Sequence, residues 1–274
     1  MCRGAGEGSI AQEALRRMSG MLRGRRALVT GSTGGLGLAV ARRLAAEGCA
    51  LLLHGLAAPA EVPAAALAEE FGVAVAYHRA DLADPAATAA MMAAAGPLDI
   101  VVNNAATRHF GPVEAMARAA WDADLAVNLS AAFDTIRLAL PGMRQRGWGR
   151  IINMSSIYGL IGAADRVGYV VTKTALIGLT RAVALETAAS GITCNALCPG
   201  TSLTPGIEAR ILAAMAGEGL GRAAAEARLL EGKQPTGRFV QLEGVAAMAA
   251  FLCSPASADI NGAALPIDGG WSAR

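Results

Sequence analysis

The chain lacks any marked excess of one charge. Its 274 residues carry 24 Lys and Arg against 22 Asp and Glu, a formal net charge of +2, with the signs interspersed. Without a basic block or an acidic tail there is no electrostatic footprint for nucleic acid or an anionic membrane, and small molecules are the expected partners. No uninterrupted apolar run approaches the roughly 18 residues needed to cross a bilayer, and no N-terminal apolar core leads to a small-residue cleavage site. A cytoplasmic location is therefore expected. Cysteine is sparse: Cys2, Cys49, Cys194, Cys198 and Cys253 are odd in number and scattered, mostly in apolar stretches where a thiol packs as a small hydrophobe. Cys194 and Cys198 form a CxxxC, but no other Cys or His stands at metal-site spacing, so neither a disulfide nor a metal is expected. No Pro/Ser-rich or charged linker interrupts the chain, and 54% hydrophobic content suffices for one large core.

What is present is a regular alternation. Short apolar runs at 27–30, 50–54, 73–77, 100–103, 150–154, 193–197 and 263–267 read as strands, and longer helical patterns fall at 36–47, 64–71, 86–94, 121–146, 169–189 and 242–252. Strands that are nearly continuous in apolar residues are buried on both faces, which predicts an α/β fold with a doubly wound, parallel, seven-stranded sheet and helices on either side. Residues 1–24 are weakly patterned, with a short helix over 10–21 at most, and read as an extension outside a single domain of residues 25–274. Met21 offers an alternative start. An Ala/Arg/Glu/Leu-rich insert at 204–235 breaks the rhythm after the sixth strand and predicts a helical lid over the binding crevice.

The first strand runs into TGSTGGLG, with Gly31, Ser32, Thr33, Gly35, Leu36 and Gly37 leading directly into a helix. Glycines at a first βα turn let the backbone approach a pyrophosphate, whose charge the open amides of the helix N-terminus bind. The context makes a dinucleotide loop a strong reading, against a turn that merely packs helix on sheet. After the second strand, His54, Gly55 and Leu56 offer neither a carboxylate for a ribose hydroxyl nor a basic anchor for a 2′-phosphate, and the loop offers no base either, which favours NAD over NADP. His54 itself reads as a strand-end residue. Asp81, followed by Leu82, could accept from an adenine amino group or cap the helix near Pro85. Asn103, Asn104, Ala105 and Ala106 end the fourth strand with room for a cofactor.

Tyr169 and Lys173 stand four residues apart in YVVTK, thirteen residues after Ser156. One helical turn places phenol and ammonium on the same face. A free tyrosine has a pKa of about 10, and a nearby cation favours its phenolate. Asn128 is a polar residue inside the apolar AVNLSAAF and needs buried partners, a structural role being its commoner use.

Together these residues resemble the short-chain dehydrogenase/reductase family. TGSTGGLG is similar to its TGxxxGxG loop and NNAA to its NNAG, while Asn128, Ser156, Tyr169 and Lys173 match its catalytic tetrad in order and spacing over residues 25–274. The resemblance implies a base in Tyr169, an oxygen-holding hydroxyl in Ser156, a cation in Lys173 that also meets the nicotinamide ribose, and a water relay through Asn128. It further implies that Pro199, Gly200, Ser202 and Thr204 meet the nicotinamide amide, and that the protein is a homotetramer using the helices at 121–146 and 169–189 and the last strand. Within the family, VNLSAAFDTIRLALPGM, KQPTGRF and DGGWSAR are similar to the D-3-hydroxybutyrate dehydrogenases. Trp271 and Gln234 keep the family residue. Arg108 replaces a glutamine, Tyr158 a histidine, Arg166 a lysine, Thr201 a tryptophan and Arg210 a glutamine of the lid. Arginine suits bidentate binding of an anion, so a hydroxy or oxo acid substrate bulkier or more anionic than hydroxybutyrate is expected, with at least one of these arginines a solvated rim residue. Two other readings stay open: an NADP-dependent 3-oxoacyl or ketone reductase, and a non-catalytic dinucleotide-binding sensor.

Overall fold

The computed structural model describes residues 20–273. The strands are β1 (Arg26–Val29), β2 (Ala50–Gly55), β3 (Val75–Arg79), β4 (Ile100–Asn103), β5 (Gly149–Met154), β6 (Ile192–Pro199) and β7 (Ala264–Ile267). All pair in parallel in the order β3-β2-β1-β4-β5-β6-β7, forming the expected seven-stranded sheet. The helices are α1 (Gly35–Ala46), α2 (Ala64–Phe71), α3 (Pro85–Ala95), α4 (Arg118–Leu125), α5 (Ala131–Arg146), α6 (Val167–Thr187), α7 (Pro205–Glu218), α8 (Arg222–Leu230) and α9 (Leu242–Cys253).

Successive residues of a strand point to opposite faces, and the central strands use both. Val29, Leu51, Leu53, Val102 and Ile152 join one core with Val40, Leu44, Val245 and Ala249 of α1 and α9. Their neighbours Leu28, Leu52, Val101 and Ile151 join the other with Met91, Ile136, Met143 and Val183 of α3, α5 and α6. Two covered faces explain why these strands are apolar throughout. The strand order reverses between β1 and β4, so the crevice opens there, at the carboxyl ends of the strands.

The structure departs from the sequence reading in three places. β3 lies two residues later than the run at 73–77; at a sheet edge with side chains alternating, such a slip preserves which face each residue takes. The helix expected over 121–146 begins at Arg118 and is interrupted by a π-turn at Ala126–Ser130 that holds Asn128. Such turns concentrate at functional sites. Leu22 is buried in the first core and its N–H donates to the Glu47 carbonyl, so packing begins before residue 25. The helix expected over 10–21 lies outside the described residues apart from its last two, which form a turn.

Over the crevice, α7 and α8 pack on each other around Ile211, Ala225, Leu230 and Phe239. Gln234 fastens this insert to the end of β6. Its Oε1 accepts from the Thr201 N–H at 2.9 Å, and its Nε2 donates to the carbonyls of Thr201 (3.0 Å) and Arg238 (2.8 Å).

Candidate active site

A crevice of about 610 Å³ runs from the glycine loop to the lid. At one end Gly31 has a positive φ of 62°, which glycine adopts without a Cβ penalty. A Cβ on Gly37 would stand 2.2 Å from the Gly31 carbonyl oxygen, so the loop folds onto the helix only with glycine there. The N-terminus of α1 carries no side-chain cap and no acidic residue in its first turn. Its amides therefore face the crevice without a competing anion, which fits the pyrophosphate of a dinucleotide.

His54 buckles this loop. Its Nδ1 accepts from the Gly31 N–H at 3.2 Å and its Nε2 lies 3.0 Å from the Ala80 carbonyl, which fixes the proton on Nε2. Ser32 closes the same clasp, its N–H donating to the His54 carbonyl and its Oγ accepting from the His54 N–H. Burial holds the imidazole pKa below its ordinary value, keeping it neutral. Asn104 adds a second clasp through Nδ2, which donates to the carbonyls of Thr30 and Gly31. Where the tip of β2 meets the crevice, Gly55, Leu56 and Ala57 form the wall. A Cβ at Gly55 would lie 2.6 Å from Thr33 Cγ2. Asp81 also lines this end. The cap of α3 is Asp84, whose Oδ1 accepts from the Ala86 N–H, so Asp81 is not committed to that cap.

At the other end Ser156, Tyr169 and Lys173 converge on the crevice from the end of β5 and the first turns of α6. All three are buried apart from the edge that faces the cavity. Lys173 Nζ lies 5.5 Å from the Tyr169 ring centroid and donates to the Met154 carbonyl at 2.7 Å. Burial, and then the Arg108 guanidinium, pull the Lys173 pKa down to about 7. Ser155 Oγ donates to the Lys173 carbonyl, locking the helix to the strand end. Gly159 permits that approach, since a Cβ there would meet Ser155 Oγ at 2.4 Å and the Lys173 carbonyl oxygen at 2.7 Å.

Asn128 does not line the crevice. Its Oδ1 accepts from the Thr107 N–H at 2.7 Å, while Nδ2 donates to the Thr107 carbonyl and to Thr172 Oγ1. Both amide hydrogens are thus used within the protein, and the side chain holds the β4 loop against α6 instead of meeting a ligand directly. Buried Asp124 grips the same loop, accepting from Thr107 Oγ1 at 2.8 Å and lying 2.9 Å from His109 Nδ1. Arg108 sits between these two anchored residues, its guanidinium 4.9 Å from the Tyr169 ring centroid.

Arg166, immediately before α6, lies 4.9 Å from the Tyr158 ring centroid and 5.2 Å from that of Phe110. Asp165, at a positive φ of 59°, turns the chain into this position, and its carbonyl accepts from the Gly111 N–H. Tyr158 packs edge-on against Trp271, with centroids 5.4 Å apart. Asp268 folds the C-terminal turn that presents Trp271, accepting from the N–H groups of Gly270 and Ser272.

Of the remaining cofactor residues read from the sequence, Gly31, Thr33, Leu36, Gly37, Leu82, Asn104, Ala105, Ala106, Pro199, Gly200, Ser202 and Thr204 line the crevice. Ser32 and Gly35 do not. Ser32 is fully buried in the His54 clasp, and Gly34 takes the lining place next to Gly35. Arg108, Tyr158, Arg166, Arg210 and Trp271 all line the crevice as well. The sequence reading missed Thr107, Phe110 and Lys233 there; for Lys233 the available signal was its place beside Gln234 in KQPTGRF.

Residues 31–272 match the family model described as enoyl-(acyl carrier protein) reductase. The chain is 44% identical over 262 residues to D-beta-hydroxybutyrate dehydrogenase of Cupriavidus necator, covering 93% of this chain and all of that one. It belongs to the short-chain dehydrogenase/reductase family. It is 40% identical to D-beta-hydroxybutyrate dehydrogenase of Rhizobium meliloti, covering 90% of this chain and 98% of that one. Among solved structures, L-sorbose reductase from Gluconobacter frateurii, complexed with NADPH and L-sorbose, superposes with a TM-score of 0.89 at 30% identity, covering 94% of this chain and 99% of that one. This short-chain dehydrogenase/reductase is an NAD(P)-dependent oxidoreductase acting on secondary alcohols and their ketones.

Proposed function

We propose that the protein interconverts a 3-hydroxy acid and its 3-oxo acid, with NAD as the hydride partner. The observation that carries this reading is the convergence of Ser156, Tyr169 and Lys173 on a crevice whose far end is lined by arginines. A bound nicotinamide dinucleotide supplies the hydride acceptor; every other part falls to the chain. Tyr169 takes the hydroxyl proton in oxidation and returns it in reduction. Ser156 Oγ holds the substrate oxygen where the phenol reaches it. Lys173 favours the phenolate through its charge, and Asn128 acts as a positioning residue through Thr107. Arginine at the cavity end suits a carboxylate. The wall at the tip of β2 has no basic side chain to hold a 2′-phosphate, which supports NAD.

The same reading includes a cytoplasmic homotetramer. Buried Cys49, Cys194, Cys198 and Cys253 are free thiols, which suits a reducing compartment. Phe133 and Leu138 on α5 and Val171 and Leu185 on α6 expose apolar surface on the helices assigned to the interfaces.

Steady-state oxidation of a panel of hydroxy acids and neutral secondary alcohols, each with NAD and NADP, tests the proposal. Hydroxy acids should outperform neutral alcohols, and NAD should outperform NADP. Preference for neutral alcohols would overturn the acid substrate, preference for NADP would overturn the cofactor, and absence of turnover across the panel would favour a dinucleotide-binding sensor.

A further inference from the structure

Three arginines with different origins reach the acid-binding end: Arg108 from the loop after β4, Arg166 from the entry to α6 and Arg210 from α7 of the lid. None of them pairs with a carboxylate among the described residues. The contrast with the outer face of the lid is direct, because Arg222 there is saturated by Glu208 and Glu226. Arg166 goes further: its Nε is buried and has no hydrogen-bond partner among the described residues. A buried donor left unmade costs about 1–3 kcal/mol, more when charged, unless a ligand completes it. The acid that lines this crevice, Asp81, stands at the glycine-loop end.

The cations fall into two groups. Arg108 lies over the Tyr169 ring, and Arg166 over the ring of Tyr158, whose centroid is 6.5 Å from that of Tyr169. Arg108 is the neighbour that adds to burial in lowering the Lys173 pKa, whereas Arg210 and Arg166 do the same for Lys233. A monocarboxylate brings one negative charge to three guanidiniums, and a second anionic group would bring the charge closer to balance. Thr201 also lines the crevice, and its small side chain leaves more room than a bulkier one would.

Resting on the hydroxy-acid reading above, we infer that the preferred substrate carries two anionic groups flanking the carbinol, as in a 3-hydroxy dicarboxylate. One carboxylate meets Arg108, and the other meets the Arg166 and Arg210 group. Hydride leaves the carbinol carbon for the nicotinamide and the hydroxyl proton passes to Tyr169, so the carboxylates are bound but unchanged.

The test compares 3-hydroxyglutarate with 3-hydroxybutyrate, which differ by one carboxylate on the terminal carbon, in wild type and in Arg166→Gln. The wild-type kcat/KM should favour the dicarboxylate by about tenfold or more, and Arg166→Gln should collapse that ratio towards one. Unreactive glutarate should inhibit more tightly than butyrate in wild type and lose that advantage in the variant, while NADH titration reports that the variant is folded. A wild-type preference for 3-hydroxybutyrate, or a ratio that Arg166→Gln leaves unchanged, would overturn the dianion inference and leave the hydroxy-acid reading standing. Turnover of neither acid would overturn both.

Discussion

At the glycine-loop end of the crevice the groups that shape the loop already have partners: the Gly31 N–H goes to His54, Asn104 Nδ2 to two carbonyls, and the Ser32 hydroxyl and amide to His54. At the lid end Arg108, Arg166 and Arg210 face the cavity with no carboxylate from the described residues beside them. The difference teaches where each half takes its rigidity. The dinucleotide end is held by main-chain hydrogen bonds and close glycine contacts, so its shape exists before any ligand arrives. The lid end is shaped by stacked rings and like charges, and under the proposed function an incoming anion completes it.

Breaking the reaction centre between the two ends should give the largest effect. Tyr169→Phe keeps the ring that Arg108 lies over but removes the phenol, so turnover should fall by about 10³-fold, with NADH affinity by fluorescence titration nearly unchanged. Substantial residual turnover would show that another group serves as base. Next comes the His54 clasp. His54→Leu strands the Gly31 N–H and the Ala80 carbonyl, a loss of about 1–3 kcal/mol; a lowered Tm and an NAD KM raised by about tenfold should follow, with kcat largely kept. An unaltered NAD KM would mean that the loop holds its shape without the clasp.

The lid end should respond in the opposite pattern. Gln234→Ala removes three hydrogen bonds that fix the insert to Thr201 and Arg238, and the hydroxy-acid KM should rise by roughly fivefold while that for NAD holds. Equal changes in both would show that the lid serves the cofactor too. A further effect is on stability against pH. Lys173 is pulled down to about 7 in the folded chain from an ordinary 10.5, so between those values the unfolded chain binds more protons and stability rises with pH. Below pH 7 the burden of a buried ammonium is fully in force. Melting curves of the cofactor-free protein should show this slope, and Lys173→Met should flatten it; an unchanged slope would place its origin elsewhere.

Much of this was legible in the sequence because it follows from local periodicity. Apolar runs such as IVVN and RIINM reveal strands covered on both faces, and the four-residue spacing of Tyr169 and Lys173 survives any error in helix ends. The identity of the lining residues was harder to read. Ser32 sits in the loop motif yet points inward, because its partner His54 lies 22 residues away and that contact exists only once β1 and β2 pair. Asn128 was expected to relay protons through water towards Lys173; its side chain is held by the Thr107 backbone and Thr172 Oγ1, and no local pattern marks the π-turn that carries it. Lys233 reaches the crevice because the insert folds back through Gln234, a long-range outcome that composition does not record. Asp81 and Asp84 are both placed to cap α3, and only the geometry of the turn assigns the task to Asp84.

The tight seat of Gly159 on the carbonyl of Lys173 limits which substitutions the site can take. Even a methyl at that point would pry the proton-transfer helix from the sheet, so the backbone of the turn bearing Ser156 and Tyr158 is closed to thickening. Side-chain substitutions at lining positions such as 158, 166 and 201 leave that contact untouched, so the pocket can be reshaped there while the reaction centre stays put.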